Sequence, residues 1–410
     1  MRDRDLYARI LGVEKPWSVI DVVFDREAGK VEIFLEHGGR QLRCPECDRK
    51  SRGYDTRERR WRHLDTCQFR TSIVAQVPRV ECEEHGVRQI EVAWAQAGSR
   101  LTALFEALVI DWLKEASTSA VARMMNLSWD QVDGVMQRAV ARGLARREAR
   151  LPRKIGVDEK SFKKGHKYVT VVHDAESGAV IHVADERKTE VLTEFYNQFS
   201  EEELSRVESV TMDMWGPYIE ATRSAIPDAD EKIGFDKFHI AKYLGDAVNK
   251  VRRGEHRQLL QAGDHRLSKT RYLWLRNPAK ITNERWVEFE PLRTSNLKTA
   301  RAWALKETAM QLWHYTSRAW AKKGWLRWYG WAIRSRLEPM KEVARMIKRH
   351  LEGIITAVVK KTTNARAEGI NSVVQWIKYT ARGYRNRERF KWAIYFHLGG
   401  LELYPKGIVR

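Results

Sequence analysis

Apolar and polar positions change period several times along the chain. Alternating runs mark strands at Val19–Val23 and Val31–Leu35, with a turn at Gly29 between them, and again at Phe69–Val77 and Ile90–Trp94. From residue 101 the period lengthens. Leu101, Leu104, Phe105, Leu108, Val109 and Trp112 fall on one helical face. Ser117-Thr118-Ser119 opens a second helix, and Ser128 opens a third with Gln131 at its N3 position, a capping-box start. After residue 154 strands return at Tyr168–His173, Ala179–Val183, Val207–Met212 and Lys232–Phe235, with helices predicted over Thr189–Phe199 and from Tyr218. Residues 241–360 read as helical throughout, and an aromatic stretch, Phe390–Leu401, is expected to pack back on the strands.

These changes predict five segments. They are a β-rich segment (1–95), a helical segment with a linker (96–150), an α/β segment (151–240), an all-helical Trp-rich insertion (241–360) and a closing part of the α/β segment (361–410). The fold class is multidomain α+β.

The helices at Ala120–Met125 and Trp129–Leu144, joined by Asn126-Leu127-Ser128, have the layout of a helix-turn-helix. Composition gives that layout a purpose. The 410 residues hold 74 Lys+Arg against 54 Asp+Glu, a net charge of +20. Surplus cation of this size points to nucleic acid, whose phosphates bind Lys and Arg with release of counterions. The apolar share of 43% excludes general disorder. No apolar run is long enough to span a membrane, and no secretory leader is recognised, so a cytoplasmic protein is expected. Candidate DNA contacts are Gln131 and Gln137 on the second helix of the motif, with Asp130 and Asp133 also predicted exposed there. Arg138, Arg142, Arg146 and Arg147 continue the basic face toward the linker.

Cys44-Pro45-Glu46-Cys47 and Cys82-Glu83-Glu84-His85 are two hooks with 34 residues between them. Three thiolates and an imidazole at this spacing make a closed tetrahedral site for one structural Zn2+. Cys67 reads as a free thiol, and His63 lacks the hook spacing. The stretch Arg57–Arg62 between the hooks reads as a basic, aromatic loop.

In the α/β segment the order of three strands, helix, strand, helix, strand is ribonuclease-H-like. Asp158 falls on the first strand and Asp213 at the end of the fourth, which neighbours it in that fold. Converging carboxylates are how a protein holds magnesium. Glu159, one residue along, falls on the opposite face of its strand. The best third acid is Glu368, in a helix capped by Thr363 or Asn364 and flanked by Ala367 and Gly369. Asp236 and His239 either sit beside the metals or hold the scissile strand, or are a helix cap and a satisfied histidine. Half of the 16 tryptophans lie between Trp274 and Trp331, chiefly as core, with Trp325 and Trp328 the candidates for stacking on bases. Lys164, Lys167, Lys378, Arg382 and Arg385 extend the predicted DNA contacts.

The hooks, the helix-turn-helix, GVDEKSFKKGHKY, TMDMWGPY, FDKFHIAK and NARAEGINS, in that order, resemble the ISL-three family of insertion-sequence transposases over nearly the whole chain. The resemblance implies a DDE enzyme with Asp158, Asp213 and Glu368 as its triad, and a helical insertion between Asp236 and Lys361. Two Mg2+ (or Mn2+) ions would serve cleavage and strand transfer. The expected partners are double-stranded DNA, as terminal inverted repeats and target, and a second copy of the chain, on the nucleoid of a prokaryotic cell. Two departures stand out. Gln375 occupies a position where many members carry a basic residue, and His85 stands where many have cysteine. A catalytically silent DNA-binding regulator, or a nuclease without strand joining, is the alternative.

Overall fold

The computed structural model describes residues 3–39, 41–163, 167–361 and 365–408. Lys164 lies outside them, as do the cap candidates Thr363 and Asn364; of Lys167 only the backbone is described. The chain divides into two compact units, residues 1–148 with 379–383 and 401–410, and residues 149–378 with 384–400.

The first unit begins with helix α1 (Asp3–Leu11). Strands β1 (Trp17–Asp25), β2 (Lys30–His37), β3 (Leu42–Arg43), β4 (Lys50–Arg62), β5 (Arg70–Cys82) and β6 (Gly86–Gln89) follow. They form one sheet in the order β1-β2-β5-β4-β3, with β6 on β5. Two sequence expectations need correction here. Arg57–Arg62 is not a loop but the end of the 13-residue β4, whose side chains are mostly exposed and charged. Ile90–Trp94 is not a strand; it leaves the sheet so that Ile90 and Trp94 enter the core. There Trp94 meets Trp17 and Trp61 edge-on, with ring centroids 4.8 and 5.5 Å apart.

Helices α2 (Ala103–Glu115), α3 (Thr118–Met124) and α4 (Trp129–Arg146) complete the unit. Each has its side-chain cap: Thr102, Ser117, and Ser128 with Gln131 in a full capping box. The turn before α4 is made possible by Asn126 at φ 51°, a left-handed conformation that asparagine tolerates. Residues 401–408 return to these helices. Arg142 donates to the Leu403 carbonyl at 2.7 and 3.0 Å, and the Tyr404 hydroxyl lies 2.5 Å from Asp111.

The second unit carries strands β7 (Lys154–Lys163), β8 (Lys167–Asp174) and β9 (Val180–Asp185), then helices α5 (Thr189–Tyr196) and α6 (Glu201–Ser205). Strand β10 (Ser209–Met212), helices α7 (Gly216–Ala225) and α8 (Ala229–Lys232) and strand β11 (Ile233–Phe235) close the sheet. Its order is β11-β10-β7-β8-β9, with β7, β10 and β11 parallel and the other pairs antiparallel. This is the ribonuclease-H-like arrangement that the element order predicts.

The insertion is helical: α9 (Lys237–Gln261), α10 (Arg271–Leu275), α11 (Asn283–Arg293), α12 (Lys298–Gln311), α13 (Arg318–Ile333), α14 (Glu338–Arg349) and α15 (Leu351–Lys360). Its Trp274, Phe289, Trp303, Trp325 and Trp328 join Ile155, Val157 and Met212 of the sheet in one hydrophobic core. Helix α15 lies so close to β11 that a Cβ on Gly353 would sit 2.3 Å from the Phe235 ring. Helices α16 (Ala365–Thr380) and α17 (Arg387–Leu398) end the chain's regular structure, and α17 packs on β9 with the Tyr395 hydroxyl accepting from the Val183 amide at 2.9 Å.

Candidate catalytic carboxylates, zinc site and DNA-binding residues

Sheet register sets the candidate catalytic site. Gly156 on β7 pairs with Thr211 on β10, and two residues further along each strand stand Asp158 and Asp213. Met212 pairs with Phe235 on β11, and one residue further stand Asp213 and Asp236. Three carboxylates therefore leave three neighbouring parallel strands at one level, with strands about 4.8 Å apart. Asp236 is buried and caps α9, accepting from the Phe238 amide at 3.0 Å. One turn on, the His239 ring is ion-paired to Asp213 and lies 3.8 Å from Asp236. The hydrogen bond to Asp213 raises the histidine's pKa above its ordinary value, with further help from the Asp236 and Asp158 charges. Asp236 is thus a helix cap, and His239 is held by the second carboxylate.

Asp158 accepts the Glu159 amide at 2.7 Å and is ion-paired to Lys160, whose side chain is only 5% exposed. The same ammonium is hydrogen-bonded to Asn371 on α16. Lys378, on the same helix, donates to the Ser161 carbonyl at 2.8 Å. These two bonds lay α16 along β7. Glu368 sits one turn before Asn371 and is exposed. Its carboxylate is not gathered with Asp158 and Asp213 into a tight ligand cluster. Sequence reasoning missed Lys160 and Asn371; they are 211 residues apart, and nothing local marks them as partners.

The surroundings of Asp158 are fixed by sterics. A Cβ on Gly156 would lie 2.2 Å from the His173 ring, so only glycine lets that buried histidine cross the strand. Burial lowers the His173 pKa to about 4. On the neighbouring face Glu159 is bound to Arg187 at 2.9 Å, and the guanidinium lies over the rings of Trp215 (4.2 Å) and Tyr168 (4.8 Å). Glu159 is therefore committed to Arg187.

In the first unit the hooks meet. Among the described residues Cys44, Cys47, Cys82 and His85 form the one group able to hold a metal ion, with all ligand atoms within 4.8 Å of one another. The Cys47–Cys82 sulfurs are 3.8 Å apart, and the His85 Nδ1 is 3.6 Å from the Cys82 sulfur and 3.9 Å from that of Cys44. Thiolates at about 2.3 Å from a tetrahedral zinc are about 3.8 Å from each other, so the spacing fits that ion. Amide hydrogen bonding from His85, then its ring, lowers the Cys82 thiol pKa to about 6. Cys67 is exposed and outside the group; His63 is buried, its Nδ1 2.9 Å from the Thr102 hydroxyl.

The DNA-contact expectations divide. Gln131 is exposed, with its side chain accepting the Ser128 amide at 2.9 Å. Asp133 is buried, contrary to the expectation of exposure, and binds Gln137 at 2.7 Å. Arg138 and Arg142 are not free for phosphate: both grip the buried Glu106, at 2.8 and 3.1 Å, and Arg142 is 8% exposed. Arg146 binds Glu402 and the Tyr404 carbonyl. Arg147 forms the α4 C-cap. Trp325 and Trp328 are buried too, which corrects their assignment as stacking platforms; Trp320 and Trp331 are the exposed indoles of α13. Lys378 is taken by Ser161, whereas Arg382 and Arg385 are exposed in the turn after α16.

Residues 155–394 match a family model described as "Transposase", the ISL3-type DDE domain. The chain belongs to the ISL3 transposase family. Residues 40–85 match the "zinc-finger of transposase IS204/IS1001/IS1096/IS1165", and residues 90–140 the "Helix-turn-helix domain of transposase family ISL3". Relatives include the transposase for insertion sequence element IS1001 of Bordetella parapertussis, 28% identical over 95% of this chain and 97% of its own. The transposase for IS1557 of Mycobacterium tuberculosis is 27% identical over 94% and 93%. The protein is thus a transposase-family enzyme acting on DNA, with a DNA-binding helix-turn-helix. No helix among the described residues is long and apolar enough to cross a membrane.

Proposed function

We propose that this transposase cleaves the ends of its insertion sequence and joins them to target DNA, with Asp158, Asp213 and Glu368 as its metal-binding triad. The observation that carries this reading is the register of β7 and β10, which puts Asp158 and Asp213 level on adjacent parallel strands inside the segment matching the family's DDE domain. Hard carboxylate oxygens at 13% and 27% side-chain exposure suit Mg2+ or Mn2+. When bound, two such ions supply Lewis acidity to both the attacking and the leaving oxygen. The chain's part is to hold and orient. Asp213 is steered by His239 and Asp158 by Lys160 and the Glu159 amide, while Glu368 would join them from α16, the helix whose Asn371 binds the same Lys160. In the first step a water oxygen bonds to the end phosphorus, the bond to the 3′ oxygen breaks, and that oxygen takes up a proton. In the second the freed 3′-hydroxyl attacks a target phosphorus and displaces the target's 3′ oxygen.

Cys44, Cys47, Cys82 and His85 would hold one structural zinc, and a dimer would place a helix-turn-helix on each of two paired ends. The test uses labelled end duplexes, plasmid target and Mg2+. Joined product is expected from the wild type, while Asp213→Asn should lower cleavage at least about a thousandfold, several kcal/mol of transition-state stabilisation, with end affinity within about twofold. Cleavage without joining leaves a nuclease; binding without cleavage leaves a regulator. Undiminished cleavage by Asp213→Asn removes the triad.

A further inference from the structure

Lys160 stands two residues beyond Asp158 on β7, so both side chains leave the same face of the strand. It is 4% exposed, a burial that lysine tolerates only where its ammonium is paired. The ammonium is divided between the two segments that carry the first and third acids of the triad. It is ion-paired to Asp158 and donates to the side-chain carbonyl of Asn371, one helical turn after Glu368 on α16. With the Glu159 amide on Oδ1 and the ammonium on Oδ2, both oxygens of Asp158 are engaged. A second bond, from the Lys378 Nζ to the Ser161 carbonyl at 2.8 Å, ties the far end of α16 to the same strand. Glu368 itself stays exposed and outside the one ligand group of the described residues.

A divalent ion bound to Asp158 would stand close to this ammonium. Like charges at such range repel strongly, so the ion and Lys160 compete for one carboxylate. The ammonium nonetheless keeps a second acceptor in Asn371, and giving up Asp158 does not leave it unpaired. Asn371 is joined to Glu368 by a single turn of helix, about 4.5 Å of rise, so whatever holds Asn371 also holds the third acid. Strand β7 is the fixed side of the bridge. It is paired on both edges, with β8 and β10, and the His173 ring fills the space over Gly156. The helix is therefore the side whose position the bridge sets.

We propose that Lys160 is a positioning residue for DNA cleavage: its ammonium holds the place of a divalent ion on Asp158 and, through Asn371, sets the position from which α16 brings Glu368 to the carboxylates. It acts through Asp158 and Asn371 rather than by touching the DNA. In the chain without metal it balances Asp158 and keeps α16 on β7. Once Asp158 is given up to an ion, the ammonium remains on Asn371, and Glu368 is free to complete the ligand set. The inference rests on the reading of Asp158, Asp213 and Glu368 as metal ligands. Removing the ammonium should strengthen metal binding, which a purely structural lysine would not do, and cutting its tie to Asn371 should slow cleavage.

The test uses the full-length protein with zinc supplied. Mn2+ is titrated without DNA and followed by the electron paramagnetic resonance of the free ion, with Asp158→Asn marking the binding that belongs to this site. Lys160→Met should bind Mn2+ at least about tenfold more tightly than the wild type, because one repelling charge is gone. Asn371→Ala, at an exposed helical position, should leave Mn2+ affinity within about threefold. On labelled end duplexes it should lower kcat about tenfold with end affinity within about twofold. The two changes cut one bridge, so the double variant should cleave no more slowly than the slower single one. Mn2+ affinity that Lys160→Met does not raise, full-rate cleavage by Asn371→Ala, or losses that multiply in the double variant overturn the proposal. If Lys160→Met does not fold, the Asn371→Ala rates alone decide. A wild type that cuts no ends, and whose Mn2+ binding is unchanged by Asp158→Asn, overturns the triad reading itself.

Discussion

At the tip of the N-terminal sheet four donor atoms converge within 4.8 Å, supplied by two turns whose cysteines are largely withdrawn from water. At the ends of β7 and β10 the carboxylates are instead each held by a side chain of the protein: Asp158 by the Lys160 ammonium, Asp213 by the His239 ring. The first arrangement makes sense only as a donor set. Three sulfurs and an imidazole offer each other little, and their spacing matches a single tetrahedral ion. The second is paired within the chain, with the Asp158 and Asp213 side chains 13% and 27% exposed. Donors that have no partner but one another wait for an ion; carboxylates already paired within the chain are held without one.

The largest effect that would break this contrast is at the closed site. Cys82→Ser removes one thiolate from a set whose zinc would contribute on the order of 10 kcal/mol to folding. The variant should lose its zinc, measured as metal per chain, together with the near-ultraviolet circular dichroism of the Trp17–Trp94–Trp61 cluster that the cysteines adjoin. End affinity should fall at least about a hundredfold, because a loss of even about 3 kcal/mol in binding has that size. A variant that keeps its aromatic signal and melting temperature would show that the hooks are not a structural site.

At the carboxylates the matching change is Lys160→Met. It leaves the half-sheltered Asp158 without its ammonium and frees Asn371, and breaking a buried pair by deleting one partner costs about 3 kcal/mol. Asp158→Asn in the same chain should restore much of that loss, since no unpaired charge remains. Urea unfolding of the single and double variants measures both. If Lys160→Met alone costs nothing, the ammonium is not the internal counter-ion of Asp158.

How much of this was legible in the sequence follows from the range of each interaction. The hooks, the caps at Ser117 and Ser128, the strand order of β7 to β11 and the helix-turn-helix are written in spacings of a few residues, and there the chain folds as they predict. Arg138 and Arg142 read as phosphate ligands because their partner, Glu106, lies 32 and 36 residues away and the Leu403 carbonyl 261 away. Trp325 and Trp328 could not be told from Trp320 and Trp331 because α13 carries tryptophan on more than one face. Only tertiary packing decides that the Ala321, Trp325, Trp328, Ala332 stripe is the inner one. Arg57–Arg62 lacked an apolar alternation because β4 is exposed over most of its length.

The smallest predicted effect separates two histidines of the N-terminal unit. His85 lies at the metal-ligand cluster; His63 is 3% exposed, bound to the Thr102 hydroxyl that caps α2, and burial lowers its pKa to about 4 from 6.5. A depressed histidine pKa means that the unfolded chain takes up a proton first. The His63 contribution is therefore intact above pH 6.5 and is lost as pH falls toward 4, at about 1.4 kcal/mol per pH unit. His63→Gln keeps a polar group beside Thr102 but does not titrate. Between pH 7.5 and 5 the wild type should lose about 2 kcal/mol more than His63→Gln in denaturant unfolding. Protonation of the zinc ligands acts on both proteins alike and cancels in the difference. Parallel stability curves for the two proteins would mean that His63 is not held neutral by the fold.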